Sequence, residues 1–81
     1  MQPQQSLDLS GIVVPICYFV FKRALSGLES GAILEVRIQD PETLKDLMIM
    51  IERSRDEVAG MENEQGWFRL MVRKGPPLEE M

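Results

Sequence analysis

The stretch LDLSGIVVPICYFVFKRAL, Leu7 to Leu25, decides how the rest of the chain is read. It opens on alternation, with Leu7 and Leu9 apolar against Asp8 and Ser10, the pattern of a half-buried strand. Gly11 then permits a tight turn, a short apolar run follows, and Pro15 stands where a helix begins. Proline is tolerated in a first helical turn because that N–H has no intrahelical partner. The pattern predicts a strand over residues 6–10 and a helix from Pro15 to about Leu28. Such a junction aims free N–H groups and the positive end of a helix dipole at the residues just before it, which favours an anion or a thiolate there. Val14 occupies that place, and a valine side chain has no such chemistry. The one cysteine, Cys17, comes three residues later.

Taken at about 100° per residue, Cys17, Tyr18, Phe21, Ala24, Leu25 and Leu28 share one arc of this helix, which is its core face. Lys22, Arg23 and Ser26 lie opposite. Ile16, Phe19 and Val20 also lie off the core arc, beside the two basic residues. Either nearby loops and the N-terminal segment cover them, or they form an exposed apolar patch of the kind that marks a partner surface. That patch would comprise Ile12, Val14, Pro15, Ile16, Phe19, Val20 and Arg23.

Further on, Ile33 to Ile38 alternates as a second strand, with Leu34, Val36 and Ile38 on one side and Ile33, Glu35 and Arg37 on the other. Asp40, Pro41 and Glu42 make an N-cap, a first-turn proline and a favourable first-turn charge. The helix they start should reach about Arg55, with Leu44, Leu47, Met48 and Ile51 as its core stripe. A third strand over about residues 57–62, a turn at NEQG (residues 63–66) and a fourth strand from Trp67 to Arg73 complete the order β-α-β-α-β-β. The expected fold is α+β, a two-layer sandwich with both helices on one face of a mixed four-stranded sheet. Residues 1–5 should be a disordered terminus, 6–74 a single domain, and 75–81, with its diproline, a flexible tail. The open sheet face would carry Ile33, Glu35, Arg37, Trp67, Arg69, Met71 and Arg73, either as solvated surface or as a second contact face.

Composition narrows the function. Eighty-one residues hold one small core. A net charge of −4 opposes nucleic-acid phosphates, so no nucleic-acid partner is expected. The longest apolar run is interrupted by Pro15 and too short to span a bilayer, and no positive residue precedes it as in a signal peptide. With a single cysteine this predicts a cytoplasmic protein with no membrane partner. The absence of histidine removes the commonest general base and transition-metal ligand, so no metal is expected. There is no P-loop, dinucleotide fingerprint or Ser/His/Asp set, and no cofactor is expected. Asp40 is accounted for by capping, and Asp46, Glu62 and Glu64 by solvated faces, so an acid–base pair finds no support. Anion binding at the first helix start is weakened by Pro15 and the apolar flanks. Cys17 is the catalytic candidate: a thiolate near a helix N-terminus is favoured, yet its place on the core arc reads as a small core residue.

The residues Leu7-Asp8, Gly11-Ile12, Pro15 and Lys22-Arg23-Ala24-Leu25 resemble the TusA (SirA-like) sulfur-carrier family, whose signature is L-D-x-x-G-x-x-C-P-x-P followed by a helix with K-K-A-L. Gly31, Leu34-Glu35-Val36, Asp40-Pro41, Asp46-Leu47, Gly66 and Val72-Arg73-Lys74 continue it, so that it covers residues 6–75. The resemblance implies the same two-layer fold. It also implies partners of a sulfur relay, such as a cysteine desulfurase, rhodanese-like or DsrE-like proteins, with self-association as a further use of the patch. The departure falls on the acceptor: the family's sulfur-accepting cysteine aligns with Val14, and its second proline with Cys17. Two functions follow. One is a non-catalytic protein-interaction module in sulfur metabolism, not itself an enzyme; the alternative is an active persulfide carrier, a sulfurtransferase that uses Cys17.

Overall fold

The computed structural model describes residues 2–76. Its elements are β1 (Gln5–Asp8), α1 (Ile16–Ser26), β2 (Ile33–Ile38), α2 (Pro41–Glu52), β3 (Glu57–Glu64) and β4 (Trp67–Arg73). The strands form one mixed sheet in the order β1-β2-β4-β3. β1 runs parallel to β2 with Leu7 opposite Val36, and β4 runs antiparallel to both β2 and β3. The expected α+β two-layer sandwich is the observed one.

The core lies between the helices and one sheet face. Cys17, Phe21 and Leu25 from α1 and Leu44, Leu47 and Ile51 from α2 join Leu34, Val36 and Ile38 of β2 and Leu70 and Val72 of β4. Burial of such side chains supplies about 1.5–3 kcal/mol each, and it is the two periodicities, 3.6 on the helices and 2 on the strands, that bring them to one layer. Tyr18 adds a polar tie between the helices, its hydroxyl donating to Asp46 Oδ2 at 2.5 Å.

Several boundaries differ from the sequence expectation for local reasons. Pro15 is not the first helical residue but the N-cap of α1 (φ −94°, ψ 8°), and the helix stops at Ser26, where the N–H of the C-cap Gly27 turns back to the Leu25 carbonyl. α2 ends at Glu52 rather than near Arg55, because the Ser54 N–H and hydroxyl both bond the Ile51 carbonyl and close the last turn. Asp40 caps α2 as expected: its carboxylate accepts from the Glu42 N–H at 3.4 Å and from the Thr43 hydroxyl at 3.0 Å. β1 starts one residue early, at Gln5, and ends at Asp8, while β3 extends to Glu64. Ile33, expected on the open sheet face, is buried. Gln4 brackets it, accepting from its N–H through Oε1 at 2.6 Å and donating to its carbonyl at 2.9 Å.

Of the tail expected over residues 75–81, Gly75 is held in place, and residues 77–81 lie outside the described residues. The Gly75 N–H donates to Asp56 Oδ1 at 2.7 Å, and its carbonyl accepts from the Ser30 hydroxyl at 3.1 Å. A Cβ at this position would collide with the Arg55 carbonyl, so the close approach of the two backbones requires glycine.

The outer sheet face is largely occupied by its own charges. Arg69 lies between Glu35, whose Oε2 is 2.9 Å from Nε in an ion pair outside hydrogen-bond alignment, and Glu62, bonded to NH1 at 3.1 Å. Arg73 pairs with Glu57, and the Arg37 guanidinium sits 3.9 Å above the Trp67 ring centroid. Trp67 is thereby half-buried under arginine instead of presenting a bare ring.

Candidate docking surface at the start of the first helix

β1 delivers the chain to a turn at Asp8–Gly11. The Asp8 carboxylate accepts from the Ser10 N–H at 2.9 Å, and this bond, assisted by the neighbouring Arg37 charge, holds its carboxyl below the usual range. Gly11 follows with φ +80°, a conformation that L side chains rarely adopt. The turn leads into Ile12–Pro15, which runs over the surface to the helix. Behind it, a cleft of 250 Å³ is shared between this loop and the start of α2, with Asp40 and Thr43 among its lining.

Along this path the side chains separate by exposure. Ile12 is half-buried against the core, whereas Val13 and Val14 are 69% and 54% exposed. Pro15 is exposed, Ile16 is 49% exposed and Phe19 is 65% exposed. Val20 is half-buried, packed against the core, and Arg23 is exposed in the last turn. Ile16, Phe19 and Arg23 stand at i, i+3 and i+7, so they form one stripe on the solvent side of α1. Of the two readings open for this stretch, cover by neighbouring segments describes Ile12 and Val20, while an exposed apolar surface describes Val14, Pro15, Ile16 and Phe19. Val13, the most exposed of the group, was not singled out from the sequence because it precedes the helix and no periodicity assigns it a face.

Cys17 points the other way. It is 1% exposed, within the core cluster that also holds Phe21 and Leu25. Its N–H donates to the Val13 carbonyl at 3.0 Å, and the Tyr18 N–H to that of Pro15 at 3.1 Å. Those two donors are consumed within the turn and Pro15 has none, so the helix start presents few free N–H groups to an anion. Tyr18 is tuned by its partner: the hydrogen bond to Asp46, with burial and the Asp46 charge adding, pushes its hydroxyl up to about 12. Among the described residues no group of three or more Cys, Asp or Glu side chains is placed to hold a metal, and no helix is long and apolar enough to cross a membrane.

What this site offers is therefore contact chemistry. It is an apolar loop and helix turn about 10 Å across, by the dimensions of a helical turn, flanked by Lys22 and Arg23, neither of which makes an ion pair among the described residues. No nucleophile is exposed on it.

Comparison with known proteins agrees with the architecture. A family model described as "Sulfurtransferase TusA" matches residues 5–74. The chain is 30% identical over 70 residues to "Sulfur carrier protein TusA" of Allochromatium vinosum, a match that covers 86% of this chain and 92% of the relative. With nearly its whole length matched, from β1 through β4, this chain belongs to the TusA sulfurtransferase family.

Proposed function

We propose that this chain is a sulfur-relay module that docks on the family's protein partners without accepting sulfur itself. The observation that carries the reading is the contrast between its one thiol and its exposed loop. Cys17 is in the core at 1% exposure, and position 14, on the exposed loop, is a valine. A carrier step needs a thiolate that attacks the outer sulfur of a donor persulfide. A sulfur–sulfur bond then forms on the carrier as the donor's breaks, and the donor leaves as a thiolate. A core sulfur has no path to such a donor, and valine has no electron pair to offer.

The contact stripe supports the docking half of the reading. Val14, Pro15, Ile16 and Phe19 supply an apolar anchor, and Arg23 continues it with positive charge. The matching partner surface is an apolar cleft with a carboxylate rim, as a cysteine desulfurase or another persulfide-bearing protein of the relay would present it. One free, buried thiol with no disulfide partner is in keeping with work in the reducing cytoplasm.

The test is the intact mass of the chain after incubation with a cysteine desulfurase and free cysteine. The native chain should gain nothing, while Val14→Cys should gain a sulfur atom that reductant removes. A gain by the native chain that is lost in Cys17→Ser would overturn the reading in favour of a carrier that opens to expose Cys17.

A further inference from the structure

The helical layer does not cover the whole sheet. β3 is the outermost strand, paired with β4 along one edge and, among the described residues, with no strand along the other. Its helix-side residues Val58 and Met61 lie opposite Val72 and Leu70, which are wholly buried, yet they remain 37% and 44% exposed. On α2, Ile49 is 38% exposed and Met48 half-buried. Between helix and strand runs an apolar groove of 670 Å³, lined by Leu44, Met48, Ile49 and Val58 with Lys45 and Glu52.

The other side of β3 is acidic. Glu57, Glu62 and Glu64 stand in register with Arg73, Arg69 and Trp67 on the outer face, and β3 contains no basic residue. Arg73 and Arg69 approach Glu57 and Glu62 from the β4 side only, leaving these side chains 61% and 63% exposed. Glu64 makes no ion pair among the described residues.

We propose that the free edge of β3 binds an extended segment of a partner protein in which apolar and basic residues alternate. Added as a fifth strand, such a segment continues the backbone ladder, fills the groove with alternate side chains, and sets the intervening Lys or Arg against Glu62 and Glu64. β4 makes the same arrangement on the other edge of β3, with Leu70 and Val72 inward and Arg69 and Arg73 outward. The register irregularity between Val58 and Gly60 divides β3 into two paired stretches, residues 57–58 beside the groove and residues 60–64 beyond it. Charge disfavours a second copy of this chain as the occupant. Two β3 edges would oppose carboxylate to carboxylate, and β1, the other edge strand, is QSLD with no cation to contribute.

The test is a titration of the isotope-labelled chain with the peptide acetyl-Lys-Val-Arg-Val-Lys-Val-Arg-amide, followed through backbone amide shifts. A control peptide carries Glu in place of Lys and Arg. Saturable shifts are expected at residues 58–64 and at Met48 and Ile49, with the control failing to bind. Glu64→Lys should weaken the affinity about tenfold while its melting curve shows it folded. Equal binding of the acidic control, shifts confined to α1, no saturable shift, or self-association through β3 would each overturn the proposal.

Discussion

Val14 and Cys17 stand three positions apart on opposite sides of the protein surface: Val14 is 54% exposed on the loop, and Cys17, one helical turn further on, is 1% exposed in the core. The turn that begins α1 swings the chain from loop to helix between them, so the exposed position and the position that carries sulfur are different residues. Exchanging the two residue types would restore an exposed thiol without moving the backbone, which is why Val14→Cys is the informative variant for function.

The burial of Cys17 makes its reactivity a measure of unfolding. Maleimide or disulfide reagents should label it in the native state at least a hundredfold more slowly than in denaturant, roughly the protection that a small domain's stability provides. Stopped-flow labelling with and without urea reads this directly. Native labelling at the rate of an unfolded peptide would mean that α1 opens readily.

The exposed stripe should separate binding from stability. Phe19→Ser and Arg23→Glu change an exposed apolar side chain and reverse a charge on the solvent side of α1, and each should leave the free energy of urea unfolding within about 0.5 kcal/mol of the native value. Capture of a cysteine desulfurase or other relay partner should weaken in both, more steeply at low salt for Arg23→Glu. Equal capture by native and doubly substituted chains would show that the partner docks elsewhere.

Tyr18 and Asp46 should give the protein an alkaline limit. The Tyr18 hydroxyl titrates at about 12 in the fold against an ordinary value of 10.0. Its contribution is therefore complete below pH 10.0 and is lost as pH rises toward 12, because the unfolded chain releases the proton first. Thermal melts between these values should fall more steeply in the native chain than in Tyr18→Phe. Parallel slopes would mean that the bond to Asp46 does not bias the protonated form.

The Gly75 clamp should be intolerant of any side chain. Gly75→Ala drives a methyl group into the Arg55 carbonyl and strains the bonds to Asp56 and Ser30, at a cost of about 1–3 kcal/mol. Urea unfolding of this variant beside Gly27→Ala, where the nearest atom is a tolerable 3.7 Å from the added carbon, isolates the collision from the general effect of replacing glycine.

The element order and the core were legible in the sequence because each depends on local chemistry. Alternation in ILEVRI and WFRLMVR, the helical spacing of Phe21 and Leu25, and the Asp40-Pro41 cap each state their element without reference to any other. Ile33 stands on the outer face as its strand phase states, in register with Arg73, but its burial there was decided by the tertiary structure. The boundaries of α1 and α2 also depended on carbonyl acceptors, at Leu25 and Ile51, that no residue type announces.

The candidate site divides in the same way. That Val14 holds no reactive atom, that Cys17 falls on the core arc of its helix, and that the chain is acidic with no histidine are properties of the residues and their spacing. Whether Ile16 and Phe19 would be covered was decided by the tertiary structure, since cover depends on the paths of other segments. The same holds for the uncovered inner face of β3. The sequence places a strand over about residues 57–62, and only the tertiary structure decides that Val58 and Met61 stay exposed. Periodicity states which way a side chain points from its own backbone; what stands opposite it is set by residues distant in sequence.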